Sequence, residues 1–520
     1  MKQHIIKERS RTEYSLINMF TGVAGYGINT IVGFVCRIIF VRALSADYLG
    51  VNGLFANIIS VLSLAELGIS SAIIYELYKP LAEKNVKKIA SIMRFYRKAY
   101  MAIGAFVAVV GLVMIPFLTV IIQNPPEINE NIYVLYLLHL VSTVISYFFS
   151  YRQSLLVAAQ RQYIVSGYSY VITIVQSALQ IVYLIMTHEY IGYLLIQIIG
   201  GITYNIWISG KVAKDYPFIT DKNIEPLPKD ERKSLLKNIK ALAVNKVSGV
   251  LVNSTDNIAI TYFTGIGSVG LASNYVIFSK TLDSLVTPLF NALTGSVGNL
   301  NATTDDETKY RFFKTLNLAN FWFYGWASIG MAFVSGDLVK LFYGEQYQLS
   351  FDIPLILAIN LYTIGMLHAP YTYKSTLGLF RYGQYLLILT GIINLILDVI
   401  LGKLFGMFGV YLSTLIARMC TNLWYEPYAV YRYGLKKKPV LYFIRYLFFL
   451  LVLVLAGGIC WLGCGLCHFA GIGNIVCKFL ICSVVPNGVF LLFFGRTEEF
   501  RYLKNRVIHF FMSYIHKKKM

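Results

Sequence analysis

Charge is what this chain has least of. Only 14% of its 520 residues are Asp, Glu, Lys or Arg, against about 25% in a soluble protein. Hydrophobic residues make up 57%, and mean hydropathy is +0.60. That scarcity excludes an ordinary cytoplasmic enzyme and a disordered chain. Extended hydrophilic sequence is equally scarce, the longest stretch being Lys211 to Lys240, too short for a soluble domain. No nucleotide-binding loop is found, so direct use of ATP is not expected. Seven cysteines, an odd count, lie in or beside apolar runs and argue against a fully paired secreted scaffold. Nor is a cleavable signal expected. The first apolar run follows a charged start, Met1 to Tyr14, and is too long for an h-region, so it reads as a retained first span.

In place of these features stand fourteen apolar runs, near 15–40, 48–76, 95–122, 131–157, 162–187, 190–210, 239–263, 268–295, 312–335, 352–376, 382–402, 408–432, 440–462 and 472–495. The ninth has room to extend to about 343. At about 20 apolar residues per membrane helix, fourteen spans occupy roughly 300 residues. Basic residues alternate from one connection to the next. Residues 77–98 hold Lys79, Lys84, Lys87, Lys88, Arg94, Arg97 and Lys98, while residues 123–130 hold none. The tails and even-numbered connections, with the span ends that adjoin them, together carry 37 of the 46 Lys and Arg. By the positive-inside rule both termini face the cytoplasm, and an even number of spans follows. The net charge of +20 is then topology and attraction to anionic lipid, with no role for nucleic acid. The fold class is an all-α polytopic membrane protein of about fourteen transmembrane helices, arranged as two six-helix lobes and a C-terminal two-helix hairpin. Its expected parts are an N-lobe at 1–210, a cytoplasmic linker at 211–238, a C-lobe at 239–434, and the hairpin with a basic tail at 435–520.

The two lobes repeat weakly. Leu44-Ser-Ala-Asp-Tyr-Leu-Gly-Val-Asn52 follows span one and Thr264-Gly-Ile-Gly-Ser-Val-Gly-Leu-Ala272 follows span seven, which aligns Gly50 with Gly270. Tyr190-Ile-Gly-Tyr193 and Phe408-Gly-Val-Tyr411 stand at a second matching place. An even number of spans per half makes the repeats parallel, with a substrate site expected between them. The layout, the turn after span one, and Asn253-Ser-Thr-Asp-Asn-Ile258 followed by Gly270 to Tyr275 resemble the polysaccharide-repeat-unit flippases (Wzx-type). Those belong to the larger group that also holds multidrug/toxin extrusion antiporters and the lipid II flippase. The resemblance covers roughly residues 10–435. It implies a V-shaped bundle alternating between inward-open and outward-open states in a bacterial cytoplasmic membrane. It also implies a substrate of undecaprenyl-pyrophosphate-linked glycan carried to the outer leaflet, with a polysaccharide polymerase and glycosyltransferases as partners.

Charges inside the spans mark candidate sites, because a mid-membrane charge costs about 2.5–3.5 kcal/mol on insertion scales. They are Arg37, Glu66, Lys246, Asp256, Lys280, Asp283, Asp398 and Arg418. A pyrophosphate cannot be desolvated without fixed cations, and Arg and Lys are the residues that bind phosphate. Arg418, Lys280, Arg37 and Lys246 are therefore the expected pyrophosphate ligands. Arg37 and Lys246 are close enough to the membrane faces to snorkel, and Lys280 could be neutralised by Asp283 three residues on. Lys374 and Arg152 read as anchors at inner ends. Asp256 and Glu66 are the candidate carriers of H+ or Na+, the alternative being that they are counter-ions. Pro116, Pro288, Pro370, Pro427 and Pro486 are expected to kink their spans.

Cys464-Gly-Leu-Cys467-His468 matches a haem-attachment pattern, and Cys460 beside it would complete a metal set. With no soluble fold to enclose either group, packing is the expected role, and no cofactor is implied. His139 and His368, isolated in spans, read as structural. A membrane polymerase or glycosyltransferase is disfavoured, because the longest external connection, Gly336 to Phe351, is only about sixteen residues where such enzymes carry a sizeable loop. The alternative function is a cation-coupled multidrug or metabolite antiporter of the same fold.

Overall fold

The computed structural model describes residues 11–66, 69–122, 126, 128–221, 224–233, 235–236, 255–379, 381–383, 385–467, 469 and 471–505. Every regular element among them is helical, as hydrocarbon demands: each backbone N–H and C=O must be satisfied within its own segment. The first half holds α1 (Arg11–Ala43), α2 (Ala46–Leu62), α3 (Ile69–Ala82), α4 (Val86–Val113), α5 (Ile132–Ala158), α6 (Gln162–Thr187) and α7 (Tyr190–Asp215). Residues 255–264 are helical. Then come α8 (Ile266–Thr303), α9 (Asp306–Tyr343), α10 (Asp352–Gly365), α11 (His368–Thr376), α12 (Leu386–Cys420), α13 (Asn422–Ala429), α14 (Val440–Gly465) and α15 (Ile472–Phe494).

Among the described residues, eight stretches are long and apolar enough to cross a membrane, counting Leu386–Gly434, of 49 residues, as one. A helix of that length would reach about 74 Å, more than twice a hydrocarbon core of about 30 Å. It divides at Gly406, whose φ of +57° and ψ of −135° lie outside helical space, into two spans. Spans two and ten are likewise each built of two helices. The chain is an all-α polytopic membrane protein of about fourteen membrane helices. α9 runs out to Tyr343, which shortens the external connection expected at Gly336 to Phe351.

The described chain divides into two compact units, Met1–Gly270 and Leu271–Met520. Helix starts repeat between the halves at a constant interval. Ala46 and Ile266, Val86 and Asp306, and Ile132 and Asp352 each lie 220 residues apart. Gly50 and Gly270 keep that interval too. Within the first unit, a Cβ added to Gly50 would sit 2.0 Å from the carbonyl oxygen of Ile266, and one on Gly270 would sit 2.0 Å from that of Ala46. Both glycines are thus demanded by the same close backbone approach.

Inside the first unit α1 packs on α6, and α5 on both α4 and α7. In the second, the α14–α15 hairpin docks on α9. Phe321 stacks on Phe449 at 4.3 Å, the Trp322 indole donates to Asn487 Oδ1 at 2.6 Å, and Lys478 pairs with Asp337 at 2.5 Å. At the basic end of this unit Lys436 bonds Asp306 at 3.2 Å and holds that carboxyl below the usual carboxylate range. Two of the expected proline effects are plain. Pro116 sits in the 3₁₀ turn that follows α4, and Pro370, which has no N–H to donate to the Met366 carbonyl, stands in the first turn of α11 just after α10 stops. α15 continues through Pro486 without interruption.

Candidate functional site

Span twelve is broken near its middle. α12 ends at Cys420, Thr421 adopts φ −129° and ψ −95°, and α13 begins at Asn422. A discontinuous span leaves helix ends at membrane depth, where polar ligands are met. Arg418 stands in the last turn before the break and is half-buried. Its Nη1 donates to Asn360 Oδ1 at 3.0 Å, while the Asn360 amide donates to the Tyr411 carbonyl at 2.9 Å, so α10 holds the guanidinium in place. On the other side of the break Glu426, with 2% of its side chain exposed, pairs with Lys374 at 2.7 Å. Tyr371 lies within electrostatic reach of both Glu426 and Arg418.

Lys374 is therefore more than an anchor. Removing one partner of a buried pair leaves the other charge uncompensated, which destabilises by about 3–5 kcal/mol. Lys374→Ala is expected to lower the thermal unfolding midpoint of the detergent-solubilised protein. Lys374→Met combined with Glu426→Met should recover most of that loss. An unchanged midpoint in Lys374→Ala would remove the pair from the account.

Lys280 lies on α8 with its side chain exposed, and among the described residues no ion pair holds it. The neutralisation by Asp283 that three-residue spacing suggests is not formed. Asp283 Oδ1 instead accepts from the Tyr324 hydroxyl at 2.7 Å and lies 3.0 Å from His368 Nε2. His368, expected to be isolated, is clamped by Phe290 at 5.2 Å and by Tyr324 at 5.5 Å, stacked on each. His139 does fit a structural part, with Leu135 O at 2.9 Å and Asn52 Oδ1 at 3.1 Å.

A second acid lies deeper. Asp398 has no solvent exposure. Its Oδ1 accepts from the Ser413 hydroxyl and, at 3.2 Å, from the Asn394 amide. That amide also meets Thr414 Oγ1 at 3.2 Å. One carboxylate ringed by two hydroxyls and an amide N–H donor in a dry site is a group that can take up and release a proton. In the sequence Asp398 is one mid-span charge among several. The signal for the set is Asn394 and Asp398 one turn apart, opposite consecutive hydroxyls at Ser413 and Thr414.

In the first unit, Glu66 ends a short 3₁₀ segment, Ser63–Glu66, where span two bends. It accepts from the Tyr100 hydroxyl, and the Tyr96 hydroxyl behind it is 3.3 Å from that of Tyr100 and 3.0 Å from Ser154 Oγ. Arg37 is half-buried on α1 within electrostatic reach of Tyr193. Asp256 is half-buried in the helix at 255–264. Lys246 lies outside the described residues. Within the second unit, then, the fold places Arg418 with Asn360 and Tyr371, and parts Lys280 from Asp283.

No protein-family profile matches the chain, and neither does any curated protein sequence. Solved structures do match. A lipid II flippase, MurJ, in an inward-closed conformation superposes with a TM-score of 0.67 at 15% identity, over 92% of this chain and 99% of that one. An inward-facing multidrug-resistance MATE family transporter of the MOP superfamily gives 0.57 at 15% identity, over 78% and 95%. A MATE transporter from Vibrio cholerae gives 0.53 at 14% identity, over 82% and 99%. The chain has the lipid II flippase and MATE fold. The flippase covers more of this chain than either MATE transporter does.

Proposed function

We propose that this chain is a membrane transporter, and not an enzyme, that moves an undecaprenyl-pyrophosphate-linked oligosaccharide from the cytoplasmic to the outer leaflet for cell-surface polysaccharide synthesis. Arg418, Lys280, Arg37 and Lys246 are the residues assigned to the pyrophosphate, while the prenyl chain stays in lipid. The observation that carries this reading is Lys280: a cation within an apolar span whose nearest acid in sequence is engaged by His368 and Tyr324. Arg418, at the end of a broken helix, adds a fork suited to phosphate oxygens. Basic residues at these depths favour an anionic substrate. The likeness in fold to a lipid II flippase supports a lipid-linked one.

Coupling is to an ion gradient. Asp398 joins Asp256 and Glu66 as a carrier of H+ or Na+, since a fully buried acid in a polar ring can exchange its proton or cation only when the bundle opens. Both termini face the cytoplasm, as the distribution of Lys and Arg requires.

The second reading, a multidrug or metabolite antiporter, draws on the multidrug-resistance MATE neighbour and on the acid–tyrosine cluster at Glu66, which could face a cationic drug. Reconstitution separates the two. In liposomes holding a prenyl-pyrophosphate oligosaccharide, the protein should give an impermeant glycosidase access to the inner-leaflet pool when a proton or sodium gradient is imposed. Transport of cationic dyes with no movement of the glycolipid would establish the second reading and end the first.

A further inference from the structure

Five of the seven cysteines fall in the terminal hairpin, and they divide into two sets. Cys460 and Cys464, one turn apart on α14, face Cys482 of α15 inside the hairpin. All three are buried, with Cys464 Sγ 3.8 Å from Cys482 Sγ. Cys467 and Cys477 are at the hairpin's end and are only partly covered. α14 stops at Gly465, the chain turns through Gly471 at φ +58°, and α15 starts at Ile472. A turn this short returns α15 alongside α14. Cys467, two residues past one helix, then meets Cys477, in the second turn of the other. Their sulfurs lie 2.7 Å apart, within 1 Å of the about 2.05 Å of a bonded pair. The Cys467 sulfur is also 3.7 Å from the Gly463 carbonyl oxygen, so its place is fixed by the helix end.

We propose that Cys467 and Cys477 form a disulfide on the outer face of the membrane, pinning the tip of the hairpin, while Cys460, Cys464 and Cys482 remain thiols. The side rests on the orientation read above from the basic connections, since the 463–473 connection holds no Lys or Arg and disulfides persist only in oxidising compartments. The step is thiol–disulfide exchange with an oxidised dithiol protein of the cell envelope. The thiolate of one cysteine attacks a sulfur of the donor disulfide, and one donor thiol leaves. The second cysteine, as thiolate, then attacks the mixed disulfide and releases the other. Two protons leave the pair, and its two electrons end on the donor, which becomes a dithiol. The inner trio is spared because a donor protein cannot reach sulfurs enclosed between two apolar helices.

Differential alkylation of the native chain decides this without a variant. Membranes are denatured in iodoacetamide, reduced, treated with N-ethylmaleimide and mapped by mass spectrometry. Cys467 and Cys477 should carry at least tenfold more maleimide than acetamide, and Cys460, Cys464 and Cys482 the reverse. In Cys467→Ser, Cys477 should move to the acetamide pool. A C-terminal fusion to green fluorescent protein, which fluoresces only inside the cell, reads the orientation separately. If the fusion is bright and both cysteines carry acetamide, the disulfide is disproved and the orientation stands. If the fusion is dark, the orientation fails. Incubation of the purified protein with oxidised glutathione then decides the pair itself, and acetamide on both cysteines after that treatment would overturn it.

Discussion

Arg418→Ala, reconstituted with a prenyl-pyrophosphate oligosaccharide, is expected to flip it about ten- to a hundredfold more slowly than the native chain. A charge-assisted hydrogen bond contributes about 1.5–3 kcal/mol, and each 1.4 kcal/mol is about a factor of ten. Arg418→Lys should recover only part, because the compact ammonium cannot span two phosphate oxygens. Lys280→Ala should lose about tenfold, and Lys280→Arg should be close to normal because that position supplies a point charge. Folding is not at issue at Lys280, which is exposed and without an ion pair among the described residues. At Arg418 the bond to Asn360 must be controlled for, and Asn360→Ala serves. A merely structural Arg418 would make Asn360→Ala as slow as Arg418→Ala. A phosphate ligand leaves Asn360→Ala the milder of the two.

Asp398→Asn is expected to break coupling. The amide keeps a carbonyl oxygen to accept from Ser413 and Asn394 and nearly the same volume, so the buried packing survives. What it loses is a group that can gain and lose a proton or neutralise a cation. Flipping in Asp398→Asn should become indifferent to an imposed proton or sodium gradient, with any residual rate equal in both directions. The same substitution at Glu66, as Glu66→Gln, probes the first unit, where the acid is bonded to Tyr100. If Asp398→Asn keeps the full gradient response and Glu66→Gln abolishes it, the carrier lies in the first unit.

Much of this architecture is legible in sequence, because hydrocarbon imposes length and apolarity on every span. The fourteen runs coincide with described helices or helix pairs, apart from the part of span seven outside the described residues. The Gly50 and Gly270 match also carries physical content, since a missing Cβ is the one feature that lets two backbones approach so closely. The breaks are another matter. Span twelve parts at Thr421 without a glycine or proline at the break, and span two bends at Ser63–Glu66. Span two does carry Gly68 and several serines near its break, but such residues are common in membrane helices and do not by themselves mark a break.

Pairing was legible only along one helix. Lys280 and Asp283 look like partners by spacing, yet the acid is taken by His368, 85 positions away, because α11 brings an imidazole to the right depth. Lys374 and Glu426, 52 apart, are joined by the packing of α11 on α13 in the same way. Asp398 could be seen as a charge but not as a site, because its ring of Asn394, Ser413 and Thr414 exists only once the two helices flanking Gly406 fold back together.

The most direct measurement compares two prenyl-linked oligosaccharides that differ only in the linkage, one a pyrophosphate and the other an uncharged isostere. Each is tested with the native chain and with the double variant Lys280→Gln/Arg418→Gln. The native protein should flip the pyrophosphate at least tenfold faster than the uncharged lipid, and the double variant should handle the two alike. Equal rates for both lipids in the native protein, or an undiminished preference in the double variant, would contradict a cationic site for the diphosphate.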